Sequence, residues 1–311
     1  MSGYLVQRVL GLLINIWIIT IIVFALMKSV PGGPFVFDKQ PLPEEAMENI
    51  NRKYGLDGPV YVQYLRWIGA VLQGDFGIPF QSPTETVVSL IARAWPVTLV
   101  VGAFTLLIAF GGGILLGIVA AMRQNTWLDR TLTFLATLGL TVPSFVIGIW
   151  LIYTFAVNLR LLPTGGWGEP KHLIMPVIAY ALGPMAVVAR FTRTSVLDVM
   201  RADYVRLARA RGVPELTIWR RYVLRNALVP LITVLGPEVP NILTGSIFVE
   251  AIFNVPGLGR FFTTSILARD YPMIMATVLL VAFLWGFTYI LSDVLYSIAD
   301  PRIRIGQGRA A

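Results

Sequence analysis

Along its length the chain alternates long apolar stretches with shorter polar ones. Six stretches reach the roughly 20 residues that a helix needs to cross the hydrocarbon core of a bilayer: 9–30, 97–121, 131–157, 173–189, 228–249 and 273–298. Unpaired backbone groups are too costly in hydrocarbon for loops to cross it, so each stretch is predicted to be a helix. The fourth is the weakest and carries Pro176, Gly183 and Pro184; the fifth carries Pro230, Pro237 and Pro240. The first is longer than the apolar segment of a signal peptide and no small-x-small cleavage site follows it, so it is expected to be retained.

Composition agrees with this pattern. Of 311 residues, 56% are hydrophobic and 14% charged, and mean hydropathy is +0.72; a soluble domain carries about 25% charged residues. There is no Cys, which excludes disulfides, thiolate metal sites and Cys nucleophiles. A single His, His172, excludes His-cluster metal sites and argues against Ser-His-Asp chemistry. It falls at an outer boundary and reads as an interfacial residue.

The net charge of +8 has an address. With the N-terminus placed in the cytoplasm, the inner side receives Arg8, Arg123, Arg130, nine arginines from Arg190 to Arg225, and Arg302, Arg304 and Arg309. The ten outer basic residues are matched by ten acids, so the whole excess lies inward, as the positive-inside rule expects. The chain then divides into an N-terminal tail with helix 1 (1–30), a long outer loop with short helices (31–96), a five-helix body (97–300) holding a cytoplasmic loop (190–229), and a cytoplasmic tail (301–311). In the outer loop, 43–54 and 60–72 read as short amphipathic helices, with Trp67 and Tyr61 or Tyr64 placed for the headgroup level.

The loop 190–229 is the most informative segment. Its first half is predicted to be helical, continuing from Asp198 to about Arg211. Gly212 suits the left-handed residue that closes a helix, Pro214 the first turn of a new one, and Glu215 that helix's positive N-terminus. Leu216, Trp219, Tyr222 and Val223 are expected on one side of the second helix. This helix–Gly–helix elbow exposes basic and apolar groups together. Three readings fit it: topology alone, binding to anionic lipid or less readily nucleic acid, and docking of a cytoplasmic protein. Topology requires charge but not the Gly-Pro punctuation.

Within the spans, Gly113 and Gly117 form a small-xxx-small pair that favours close helix approach. Pro143 with Ser144, and Pro237 and Pro240 around Glu238, free backbone carbonyls that only protein or a water-filled path can satisfy. Glu238, Ser144 and Asn241 are the candidates for lining such a path, because a charge inside a span faces a bundle interior or a cavity. Asp293, in the last turns of the sixth span, reads as a structural partner for an inner arginine. No ion-binding helix break between inverted repeats is visible, which disfavours a secondary transporter.

At the elbow the chain resembles the membrane subunits of binding-protein-dependent ABC importers, and in particular the B-type permease subunit of the dipeptide/oligopeptide/nickel family. The family's elbow reads Glu-Ala-Ala, three residues, then Gly. Here Arg206-Leu207-Ala208 stands for the first three, keeping only the second Ala, and Gly212 is the Gly. Arg225 stands where many importers have Pro. Further patches resemble the family in order and spacing: Pro31-Gly32-Gly33-Pro34 (with Gly33 for the usual Asp), Tyr54-Gly55-Leu56-Asp57, Gly74-Asp75-Phe76-Gly77, Leu162-Pro163-Thr164-Gly165-Gly166, Glu250 with Phe253-Asn254 and Pro256-Gly257-Leu258-Gly259, Arg269-Asp270-Tyr271-Pro272, and Asp300-Pro301-Arg302.

The resemblance implies a type I ABC importer permease fold and a non-catalytic permease in a prokaryotic inner membrane, both termini cytoplasmic. Its partners would be a homologous second permease subunit, two cytoplasmic ATPases and an extracytoplasmic solute-binding protein, with no nucleic acid. The chain itself would hold no cofactor or metal; ATP and magnesium would belong to the ATPases. None of its lysines (Lys28, Lys39, Lys53, Lys171) sits in a G-x-x-x-x-G-K-[ST] loop, in keeping with a separate motor. The ATPase-coupling residues implied are Arg206, Ala208, Arg209, Ala210, Gly212, Val213, Pro214, Glu215 and Trp219; Asp75, Phe76 and Asn254 are implied for binding-protein docking. Peptides are the expected cargo, with nickel chelates, opines, glutathione or sugars as alternatives on the same scaffold. A stand-alone secondary transporter or channel gives no reason for the elbow, and a lipid-binding scaffold remains the third class.

Overall fold

The computed structural model describes residues 2–30, 48–49, 52 and 55–299. All but residues 48–49 and 52 of the expected helix at 43–54, the Pro31–Pro34 patch and the tail at 301–311 therefore lie outside the described residues, as does the side chain of Asp293. Every regular element among the described residues is helical. In chain order these are α1 (Ser2–Ser29), α2 (Val60–Val71), α3 (Val87–Met122), α4 (Trp127–Thr141), α5 (Ser144–Leu151, extended by π-helical turns over Ile152–Asn158), α6 (Lys171–Met200), α7 (Asp203–Ala210), α8 (Glu215–Thr217, running through π-helical turns at Ile218–Leu224 into α9, Arg225–Leu243), α10 (Ile247–Ile252), α11 (Leu258–Leu267) and α12 (Tyr271–Ala299).

Four of these helices are long and apolar enough to cross a membrane: Val6–Ser29, Val87–Met122, Lys171–Met200 and Tyr271–Leu291. A fifth crossing is available only if the α4–α5 pair counts as one, because the two halves of the expected span 131–157 meet at 103°. Pro143 has no N–H and caps α5 from outside the helix, so α4 ends at Thr141 and the chain turns. The expected span 228–249 is also shortened: α9 ends at Leu243, and Gly245 at φ +86° turns the chain into α10. Prolines are elsewhere absorbed. α3 starts at Val87 rather than at residue 97, with Pro96 inside it, and α6 contains Pro176 and Pro184 and carries on past Ala189 to Met200.

The body is organised around α3 and α6. Their contact is close because Gly113 and Gly117 present no side chains. A Cβ at Gly113 would lie 2.6 Å from Val188 Cβ, and one at Gly117 would lie 2.5 Å from Thr192 Cβ and 2.6 Å from the Ala189 carbonyl oxygen. The small-xxx-small pair therefore acts as a packing seam. Gly117→Leu is expected to destabilise the chain by about 1–3 kcal/mol, the range for overpacking. Gly111→Ala, where a Cβ meets nothing within 4 Å, should leave stability unchanged or raise it. Thermal unfolding in detergent reads the difference; equal loss in both variants would remove the seam.

The helix α2 lies along α1 and α12. Tyr64 Oη is 2.9 Å from Thr20 Oγ1, and Phe24 meets Tyr64 edge-on (5.4 Å) and Trp67 (6.4 Å). Tyr64 and Trp67 are thus packed inward, with Met27, Ile274 and Met275, and Tyr61 is the aromatic left exposed. Asp270, buried, caps α12 by accepting from Met273 N–H (3.3 Å) and holds the outer segment by accepting from Gln81 N–H (3.0 Å).

Candidate functional site

The elbow is built from three short pieces. α6 stops at Met200, so the predicted continuous helix to Arg211 is broken at Arg201 and Ala202; Ala202 is extended (φ −66°, ψ 146°), and Asp203 opens α7 at its positive end. α7 closes through a Schellman turn. Gly212, at φ +75°, donates to the Arg209 carbonyl (3.0 Å), and Val213 N–H donates to the Ala208 carbonyl (3.2 Å). Pro214 then caps the next helix, with Glu215 in its first turn.

An ion pair spans the turn. Arg209 Nη2 lies 2.8 Å from Glu215 Oε1, and Arg209 Nε lies 3.3 Å from Oε2. The Arg209 guanidinium holds the Glu215 carboxyl below its ordinary value, with a smaller contribution from Trp219. The clamp is therefore intact at neutral pH and is lost as pH falls through that lowered value. Both side chains are solvated, so its contribution to stability is about 0.2–1 kcal/mol.

The elbow is fixed to the bundle from its inner side. Val205, Ala208, Ile218 and Val223 are buried against Ala121, Val196 and Leu197, with Val213, Trp219 and Tyr222 partly buried beside them. Ala208 and Trp219 therefore support the elbow rather than face the solvent. Leu216, expected on the same side as Trp219, Tyr222 and Val223, is instead 63% exposed. It shares the outer face with Tyr204, Leu207, Arg206, Arg209, Ala210, Gly212, Pro214 and Glu215.

Of the path candidates, Glu238 (half-buried) and Asn241 (exposed) share a face of α9 one turn apart. Tyr180 of α6 reaches that face and donates its hydroxyl to the Asn241 carbonyl (2.8 Å). Ser144 is half-buried on α5, which packs against α6 and α10, Phe145 meeting Phe248 at 5.7 Å. Of the outer docking candidates, Asp75 and Asn254 are exposed. Asp75 Oδ1 accepts from Gly77 N–H (2.8 Å), and Asn254 takes a left-handed turn (φ 51°). Phe76 instead packs against Val87, Leu90 and Met273. His172 Nδ1 accepts from Glu169 N–H (3.2 Å), a local contact at the start of α6.

Two polar nodes were not assigned a role from the sequence. Glu250 is 1% exposed. Its carboxylate accepts from Thr98 Oγ1 (2.8 Å) and Gly259 N–H (2.7 Å), while Thr98 Oγ1 accepts from Leu258 N–H (2.9 Å). The pair thus satisfies the open N-terminus of α11. Nearer the elbow, Arg193 makes a two-pronged bond to the buried Asp129, Nε–Oδ1 2.7 Å and Nη2–Oδ2 2.8 Å, tying α4 to α6. Both nodes join residues far apart in the chain; the resemblance marked Glu250 and Gly257-Leu258-Gly259 without a role, and nothing local marks Asp129 with Arg193.

This architecture, an all-helical membrane body with a short helix–Gly–helix elbow, is the type I ABC importer permease fold. The structure superposes on inward-facing conformations of the MetNI methionine ABC transporter with a TM-score of 0.57, covering 68% of this chain and 96% of that one at 18% identity. An amino acid ABC transporter with histidines matches with a TM-score of 0.53 over 68% of this chain and 94% of that one, at 18% identity.

The chain belongs to the family described as binding-protein-dependent transport system inner membrane component, whose model matches residues 113–305, with the family's N-terminal model matching 1–102. It is similar to the dipeptide transport system permease protein DppB of Bacillus subtilis (strain 168), 39% identical over 98% of this chain and 99% of that protein. It is also similar to the oligopeptide transport system permease protein OppB of Salmonella typhimurium, 37% identical over 98% of this chain and 100% of that protein. The resemblance carried by the elbow and outer-loop motifs thus extends along nearly the whole chain.

Proposed function

We propose that this chain is the non-catalytic permease subunit of an ATP-driven importer that carries di- or oligopeptides from a solute-binding protein into the cytoplasm. It pairs with a homologous second permease subunit in a prokaryotic inner membrane, both termini cytoplasmic. Two cytoplasmic ATPases bind the ATP and magnesium. The exposed face of the elbow, from Arg206 to Leu216, seats in a groove of one ATPase, and movement of that face swings the spans between inward-open and outward-open arrangements. Glu238 and Asn241 line the path, and Asp75 and Asn254 meet the binding protein.

The observation that carries this reading is the elbow itself, a rigid piece packed on the ends of α3 and α6 with its polar-apolar face left open. Packed elements move as units, so a force on the elbow reaches the bundle. The peptide cargo rests on the dipeptide and oligopeptide permeases to which the chain is similar. Uptake of a labelled dipeptide into proteoliposomes tests the reading. Uptake is expected only with both ATPases, the binding protein and ATP present; uptake that persists without the ATPases overturns it.

A further inference from the structure

A cavity of about 840 Å³ opens between α3, α6 and the bent α4–α5 pair, at the bend by Pro143. That volume falls in the ~300–1,000 Å³ range of small-molecule sites. Its wall is largely apolar, with Leu132, Leu135, Leu138, Ile147, Trp150 and Met185 among its residues. The hydroxyls in it are already committed. Thr133 donates to Asp129 (3.5 Å), Thr137 to the Thr133 carbonyl (2.9 Å) and Thr194 to the Arg190 carbonyl (3.1 Å). Arg193, also in the lining, is taken up by Asp129.

Among the described lining residues, Arg190 is the charged side chain without an anionic partner. It is exposed and lies toward the elbow end of α6. An apolar slot with one open guanidinium at its cytoplasmic end is complementary to an anionic amphiphile. Basic pockets between membrane helices on that side recognise acidic headgroups.

We propose that this cavity holds one anionic phospholipid of the inner leaflet, its acyl chain along α4 and its phosphate on Arg190. The lipid fills the angle left by the bent α4–α5 pair, where α4 has α6 as its main neighbour. The assignment to the inner leaflet rests on the cytoplasmic placement of the elbow proposed above. Its test needs no transport, so a negative result here leaves the importer reading standing.

The purified full-length chain, delipidated in detergent, is offered phosphatidylglycerol or phosphatidylethanolamine with matched acyl chains, and retained lipid is read by native mass spectrometry. One phosphatidylglycerol per chain is expected to persist. Arg190→Gln should lower its retention about fivefold, the weight of one basic residue near a lipid surface, and Arg190→Lys should keep most of it. Equal retention of the two lipids, or indifference to Arg190→Gln, overturns the proposal. A second measurement leaves Arg190 intact. The chain has no cysteine, so Leu138→Cys supplies a single thiol on the cavity wall. In liposomes it should resist a charged, water-soluble thiol reagent; rapid labelling would mean a water-filled path in place of lipid.

Discussion

Gly212→Val is expected to lower ATP-driven uptake about tenfold or more while the chain still assembles in the membrane. A Cβ at Gly212 meets nothing within 4 Å, so the effect is not a clash with neighbours. It comes from the backbone. At φ +75° an L-residue pays about 1–2 kcal/mol, and β-branching adds to it, which is enough to shift the turn's population by roughly a factor of ten. Losing the turn releases the Val213–Ala208 and Gly212–Arg209 bonds and misaligns Arg209 and Glu215. Gly212→Asn is the control, since Asn tolerates the left-handed region. Uptake and ATP hydrolysis are measured together in proteoliposomes; valine and asparagine variants with equal uptake would remove Gly212 from the coupling mechanism.

Glu250→Leu is expected to destabilise the chain by about 3 kcal/mol or more. The replacement leaves Gly259 N–H without an acceptor and Thr98 with only half its network, in a place closed to water. Each buried group left unpaired costs about 1–3 kcal/mol. The site is also shaped for a carboxylate. A Cβ at Gly245, Gly257 or Gly259 would come within 2.6, 2.5 and 2.9 Å of its oxygens, so neighbours cannot collapse inward without rebuilding. Glu250→Gln should fall between, since its amide keeps one acceptor oxygen. The unfolding temperature in detergent reads the order; a leucine variant as stable as the native chain would show the node to be dispensable. Failure there should reach the 162–166 loop, because α10 is capped at Phe253, whose carbonyl accepts from Gly166 N–H (2.8 Å) and so ties that loop down.

Hydropathy alone located α1, α3, α6 and α12, because the bilayer imposes a length on any uninterrupted apolar run and every backbone bond of such a run closes within its own helix. Gly212 and Pro214 were readable for the same reason: their backbone restrictions act within a few residues. Proline was a poorer guide. Pro96, Pro176 and Pro184 are absorbed inside helices, whereas Pro143 accompanies a 103° turn. The residue is the same, and the difference lies in whether neighbouring helices hold the interrupted helix straight.

Of the candidate site residues, the elbow's turn followed from the local pattern, but Leu216, grouped on one side with Trp219, Tyr222 and Val223, is exposed while those three pack inward, and Phe76, which the resemblance implied for docking, packs inside. Apolar character says that a side chain prefers burial and leaves open which surface has room for it.

Helix existence and the elbow's turn are consequences of short-range chemistry, and the order of residues is sufficient for them. The Asp129–Arg193 tie, the Thr98–Glu250 cap on α11, the Tyr180 contact beside Glu238 and the slot ending at Arg190 join parts of the chain that are distant in sequence. The close approach of α3 and α6 at Gly113 and Gly117 is of the same kind. That approach is a property of two surfaces meeting, which no single stretch of sequence contains.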